Sequence, residues 1–309
     1  MTTLYTHPIF LEHDTGYGHP ECADRLRSIE SALQNAQFEG LDRKQAPRGS
    51  VDQVLTVHPQ DYIDGIFRAI PQRGTGYLDG DTIVSKASGE AALHAVGAAC
   101  DAVDRVTIGQ ANNAFCAIRP PGHHAETKRA MGFCLFNNVA IAANHARRKH
   151  GLNRVAIVDF DVHHGNGTQE IFYKDASVLY ASTHQMPLYP GTGRRSETGV
   201  GNIFNAPLEP GAGSDAFREA MSDIIFPALD DFKPEMILVS AGFDAHRADP
   251  LASLNFTDED YAWVTRELLK LAHRHCAGKM VSMLEGGYNL KALATSVQAH
   301  VSEMMTWPP

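Results

Sequence analysis

Asp161-Val162-His163 sets a carboxylate and an imidazole two residues apart, just past the apolar run Val155–Phe160. In an extended segment, residues i and i+2 point to one side, so this pair can converge on one metal ion. The third ligand must come from elsewhere, and Asp244 stands past a second apolar run, Met236–Ser240. Two carboxylates and one imidazole leave a fourth position for water, as catalytic zinc requires. The same oxygen-rich set would also accept iron(II) or manganese. An isolated D-x-H is more often an aspartate capping a loop beside a buried histidine, but three further polar clusters weigh against that here.

Those clusters follow other apolar runs. His123-His124 comes after Arg119-Pro-Pro-Gly. Adjacent side chains diverge in an extended segment, which favours acid–base and electrostatic roles for the pair over joint metal ligation. Glu285-Gly286-Gly287-Tyr288 offers a tight turn that can aim a phenol at a developing oxyanion. Gly132-Phe133 and Leu188-Tyr189-Pro190-Gly191 place aromatics in loops, where facing rings would form an apolar slot for a narrow chain.

The elements that must position these groups are legible as alternation. Ala114–Ile118, Val155–Phe160, Ser177–Ala181, Met236–Ser240 and Met280–Leu284 are short, apolar and not alternating, as expected of buried parallel strands. Helical patterns over Ser88–Val106, Asn138–His150, Asp215–Phe232 and Asp258–Cys276 separate them, the last opened by Thr257 with Asp260 three residues on. This predicts one α/β domain over 1–309, a central parallel sheet flanked by helices. The polar clusters would then lie at the carboxyl ends of four strands, where such sheets bind ligands.

Composition narrows the function classes. Lysine plus arginine minus aspartate plus glutamate is 27 − 36 = −9, which argues against a nucleic-acid backbone binder. Five cysteines with no C-x-x-C suggest neither a disulfide framework nor a cysteine zinc site. No signal-peptide pattern opens the chain and no apolar stretch reaches spanning length, so a cytoplasmic setting without a membrane partner is expected.

The chain resembles the histone deacetylase superfamily, which includes acetylpolyamine amidohydrolases and acetoin-utilisation proteins. The resemblance runs from Gly18-His19-Pro20-Glu21 to Tyr288-Asn289-Leu290. It is carried by R-P-P-G-H-H-A at 119–125, G-F-C-L-F-N-N at 132–138, D-F-D-V-H-H-G-N-G-T-Q at 159–169, A-G-F-D-A at 241–245 and E-G-G-Y-N-L at 285–290. The second histidine motif and A-G-F-D look like the class II branch. The resemblance implies an arginase/deacetylase-like fold with Asp161, His163 and Asp244 as zinc ligands. His123 and His124 would be the tandem catalytic histidines and Tyr288 the residue that polarises the carbonyl. Asp159 would partner His123 and raise its pKa, while Asn166, a neutral amide, would leave His124 basic. Phe133 and Tyr189, beside Gly132, match the walls of an acyl-lysine tunnel. That second wall is commonly phenylalanine, so Tyr189 departs from the pattern. Asp81 falls where some members hold the substrate backbone, and Leu251 matches an apolar gatekeeper. Structural potassium is implied at an inner set (Asp159, Ser182 and the backbone near Asp161, His163 and Thr183) and at an outer set (Phe172, Asp175 and Val178). Arginases share the fold but use a two-metal D-x-H-x-D. Gly165 and Asp244-Ala-His246 lack the extra carboxylates, so one catalytic metal is expected.

The substrate expected is an acetylated lysine in a peptide or a small acetylated amine, cleaved to amine and acetate. Acetylated polyamines or other small amides are the alternative, though the apolar Leu251 argues against an acidic polyamine gatekeeper. A catalytically dead acetyl-lysine-binding module is disfavoured because every expected catalytic side chain is present. Homo-oligomerisation is left open.

Overall fold

The computed structural model describes residues 1–306, so the last three residues of the expected domain lie outside the described part. Its strands are β1 (Thr2–Thr6), β2 (Asp42–Gln45), β3 (Thr75–Tyr77), β4 (Ile83–Ser85), β5 (Asn113–Cys116), β6 (Val155–Asp159), β7 (Val178–Gln185), β8 (Ile203–Leu208), β9 (Met236–Ala241) and β10 (Met280–Leu284). Eight of them form one sheet in the order β2-β1-β5-β10-β9-β6-β7-β8, and β3 and β4 pair separately. Every pairing in the large sheet is parallel. All residues of β5, β6, β7, β9 and β10 are buried. That explains the apolar runs within them, because helices cover both faces.

The four strands whose ends carry the polar motifs, β5, β10, β9 and β6, are neighbours at the centre of this sheet. Strands sit about 4.8 Å apart, so four loops distant in sequence open onto one small area.

Strand ends shift by one or a few residues from the apolar runs, and three strands of the large sheet went unread, as did the β3–β4 pair. β2 is Asp-Arg-Lys-Gln on an edge, with alternating exposure. β8, the other edge, contains Pro207, which only an edge strand tolerates. β1 is buried but opens on two threonines. The helix expected over Asp215–Phe232 runs as Ser214–Ala220, a π-helical turn Met221–Ile225, and Phe226–Phe232. The π turn leads into Pro227, which has no N–H to continue an α ladder. The helices Asn138–His150 and Asp258–Cys276 match their expected limits. Asn137 caps the first by accepting from Ala140 N at 3.0 Å, and Gly151 closes it at φ 68°. Asp260 reaches back to Thr257 N at 2.9 Å at the start of the second. No described helix is long and apolar enough to cross a membrane.

Candidate active site

β6 ends at Asp159, so Asp161 and His163 converge in a bend rather than in the extended segment expected. Hydrogen bonds replace strand geometry as the organiser. His163 N donates to Asp161 Oδ1 at 2.8 Å and Gly286 N to Asp161 Oδ2 at 2.7 Å. Val162 N donates to Asp244 Oδ1 at 3.0 Å, which brings the loop after β9 against the loop after β6. His163 Nδ1 then lies 3.1 Å from Asp161 Oδ1 and 3.2 Å from Asp244 Oδ2.

These three residues fit a metal ion. Their ligand atoms lie within 4.8 Å of one another. Asp244 Oδ2 is buried and receives no hydrogen bond of acceptable geometry, a costly state unless a cation faces it. Burial opposes a charge on His163, yet the carboxylates of Asp161 and Asp244 carry its pKa up to about 10. The spot between the carboxylates thus favours positive charge. A Cβ on Gly286 would sit 2.0 Å from Asp244 Oδ2 and 2.6 Å from Asp161 Oδ2, so only glycine leaves this floor open. Gly165 bears on the number of ions. A Cβ there would lie 2.4 Å from Asp159 Oδ2 and 2.6 Å from the Tyr180 hydroxyl, so the third carboxylate of a two-metal motif has no room. His246 is drawn towards Asp258, at 3.7 Å.

The tandem histidines do not diverge as an extended segment would have them. Ala125 N donates to Gly122 O at 3.0 Å, which closes a turn around His123 and His124. Their ring centroids lie 4.1 Å apart. His123 Nδ1 meets Asp159 Oδ2 at 3.0 Å, and His124 Nδ1 meets Asn166 Oδ1 at 2.8 Å. Burial works against a charged His123, but the carboxylates of Asp159, Asp161 and Glu285 outweigh it and hold its pKa well above the ordinary value. Burial, then the charges of His123 and His163, push His124 well below it. Two adjacent imidazoles are thereby driven to opposite protonation states.

Glu285 and Asp249 were not singled out from the sequence. Glu285 Oε2 accepts Gly122 N at 2.7 Å and His123 N at 3.1 Å, which ties the histidine turn to the end of β10. Burial pushes its carboxyl up to about 7. Asp249 Oδ2 accepts Tyr288 N at 2.7 Å and Asn289 N at 3.2 Å, and its Oδ1 accepts Leu251 N at 3.0 Å. Burial, then the charge of Asp244, raises it to about 7. Arg25 lies 5.0 Å from the Tyr288 ring centroid and donates to Gly287 O at 2.7 Å. It shares the fully buried Glu21 carboxylate with Arg119. Burial, then the Asp244 charge, holds the Tyr288 phenol protonated, well above its usual pKa.

A cavity of about 240 Å³ descends to these groups. Asp81, Gly132, Phe133, Tyr189 and Leu251 all line it, together with His123, His124, His163 and Tyr288. Tyr189 is 40% exposed, which places it at the mouth, with its ring centroid 5.2 Å from that of His124. Phe133 adopts φ 69°, a strained conformation of the kind that concentrates at functional sites, and its N–H donates to Thr82 Oγ1 at 3.2 Å.

The two potassium sets fare differently. Asp159 and Ser182 of the inner set are register partners on β6 and β7. Ser182 Oγ lies 2.9 Å from His184 Nδ1. In the outer set the carbonyls of Phe172, Asp175 and Val178 all point at Asn202 Nδ2, at 2.8, 3.0 and 2.8 Å. A side-chain amide fills that position, so these residues do not fit a potassium ion as the resemblance implied.

Comparison with known proteins gives the family. Residues 19–304 match the model of the histone deacetylase domain. Histone deacetylase 14, chloroplastic, of Arabidopsis thaliana is 42% identical over 300 residues, covering 90% of this chain and 71% of that protein. A histone deacetylase-like amidohydrolase of Pseudomonas aeruginosa is 41% identical over 278 residues, covering 88% and 73%. The crystal structure of the HDA15 HD domain superposes with a TM-score of 0.92 at 35% identity, over 99% of this chain and 91% of that one.

Proposed function

The chain belongs to the histone deacetylase family of hydrolases, and from that premise we propose that it is a zinc-dependent deacetylase, one domain over 1–309, acting on acetyl-lysine-type amides. One observation carries the reading. A narrow cavity walled by Phe133, Tyr189 and Leu251 ends on His123, His124, His163 and Tyr288, directly over the Asp161–His163–Asp244 cluster.

Asp161, His163 and Asp244 would hold the ion. When bound, it supplies Lewis acidity to an amide carbonyl and makes water acidic enough to lose a proton near neutrality. His124, kept neutral by burial and by the charge of the neighbouring His123, takes that proton. His123, held charged by Asp159, stabilises the negative charge that develops as the water oxygen bonds to the acetyl carbon. The Tyr288 hydroxyl donates to the former carbonyl oxygen. His124 returns its proton to the departing amine as the C–N bond breaks, and acetate and amine leave. Phe133 and Tyr189 would exclude water from the acyl chain, and Asp81, which also lines the cavity, would accept N–H groups of a peptide. Asp159, Ser182 and the carbonyls near Asp161, His163 and Thr183 would hold a structural potassium ion.

The test compares kcat/KM for acetyl-lysine peptides, free acetyl-lysine and N-acetylputrescine, with zinc content measured alongside. Peptides are expected to be preferred. A large preference for N-acetylputrescine would make the protein a polyamine amidohydrolase, and no hydrolysis of any of the three would leave it a binding module.

A further inference from the structure

A second cluster of metal-ligating side chains lies away from the cavity, between the helices Ser88–Thr107 and Asn138–His150. Asp104 projects from the first, and His145 and His150 from the second. His145 Nε2 lies 2.8 Å and His150 Nε2 2.6 Å from the same oxygen, Asp104 Oδ1. Each pairs its ring edge with that one atom, so two imidazole nitrogens and a carboxylate converge from two packed helices. The ligand atoms lie within 4.8 Å of one another. Side-chain exposures of 11%, 13% and 22% for His145, His150 and Asp104 leave the cluster on the surface but largely fixed by packing. Along the second helix it sits roughly 10 to 18 Å from the Asn138 end that abuts the histidine turn, at 1.5 Å per residue.

We propose that Asp104, His145 and His150 form a second binding site for a divalent transition ion, separate from the deacetylase centre. Two imidazoles and one carboxylate suit Zn²⁺ and its borderline neighbours better than magnesium or calcium, which want oxygen. Metal–ligand bonds of about 2.0–2.2 Å need ligand atoms roughly 3.3 Å apart in a tetrahedron. The two nitrogen–oxygen pairs must open by about half an ångström, within reach of side chains at a surface. Each Nε2 gives up its hydrogen bond to Asp104 and turns a lone pair to the ion, and water completes the shell.

Lys149 is the built-in competitor. Its ammonium lies 2.7 Å from Asp104 Oδ2, and the side chain is 56% exposed. It can swing into solvent when an ion arrives, but its charge opposes that arrival. A cluster serving only as a helix-to-helix ion pair would gain nothing from losing Lys149, whereas a metal site would bind more tightly.

The experiment measures Zn²⁺ bound per chain by equilibrium dialysis at micromolar free Zn²⁺, for the full-length protein and for His150→Ala, Asp104→Asn and Lys149→Ala. His150→Ala and Asp104→Asn are expected to bind one ion fewer than wild type. Lys149→Ala is expected to hold that ion at least several-fold more tightly. His150→Gln, which keeps bulk and polarity, guards against a folding artefact and should lose the same ion. Equal zinc content in wild type and all three ligand variants overturns the proposal. The ion at Asp161, His163 and Asp244 cancels in this difference, so a failure of the deacetylase reading shows up separately, as a lower total.

Discussion

Asp161, His163 and Asp244 offer nearly the donors that Asp104, His145 and His150 offer, in an opposite setting. In the buried cluster, backbone N–H groups of His163, Gly286 and Val162 hold the carboxylates, and one oxygen of Asp244 is left without a hydrogen bond. In the surface cluster, side chains hold the carboxylate, and both its oxygens are engaged by imidazoles and an ammonium. Backbone donors cannot move aside, so they fix oxygens in place without competing for the ion. Side-chain donors can be displaced, but each must be removed before an ion enters. The first arrangement is a socket that must shed the His163 proton facing its carboxylates; the second must shed two imidazole hydrogen bonds and an ammonium. The socket sits beneath a cavity with acid–base groups beside it.

The contrast breaks most visibly if Asp244 is neutralised. Asp244→Asn should lower kcat/KM on the order of 10³-fold or more through loss of metal, while His150→Ala should leave kcat/KM within twofold. A comparable loss in both variants would mean that the two clusters are not functionally distinct. Tyr288→Phe comes next. Removing one donor from a developing oxyanion costs roughly 10² to 10³ in kcat, with KM and zinc content little changed. A fall in zinc content would assign the phenol to the socket instead.

Asn166→Asp sharpens the comparison within the histidine pair. A carboxylate at His124 Nδ1 favours the imidazolium, so the pKa of His124 rises. A base must be neutral, so the acidic limb of the kcat/KM profile should move to higher pH; an unmoved limb removes His124 as the base. The last effect concerns stability. The pKa of Glu285 is raised from 4.5 to about 7 in the fold. Its contribution is therefore fully present below pH 4.5 and is lost as pH rises through about 7, on the order of 3 kcal/mol across that window. Glu285→Gln should flatten this fall in urea titrations between pH 5 and 8; an unchanged slope would show that the carboxyl titrates normally.

Much of the site was readable because its residues are polar groups interrupting apolar runs. Asp161, His163, Asp244, His123, His124 and Tyr288 stand out for that reason. The order β5-β10-β9-β6, which makes four such ends adjacent, has no local signature. Nor does the role of Glu285, named only as the start of its turn, or of Asp249: both accept backbone N–H groups from loops remote in sequence. The side-by-side histidine rings escaped for a related reason, since the turn that pairs them is closed by one backbone hydrogen bond. Edge strands β2 and β8 were hidden by being polar or proline-bearing, as edges are.

Asn202 has a consequence beyond its own loop. Its amide gathers the carbonyls of Phe172, Asp175 and Val178 with a donor that is covalently part of the chain. A dissolved ion performing the same task would come and go with its concentration, and the stability of the segment would follow the medium. A tethered donor is always at hand. The end of the helix Asn166–Phe172, whose first residue steadies His124, is thereby anchored by inheritance rather than by supply.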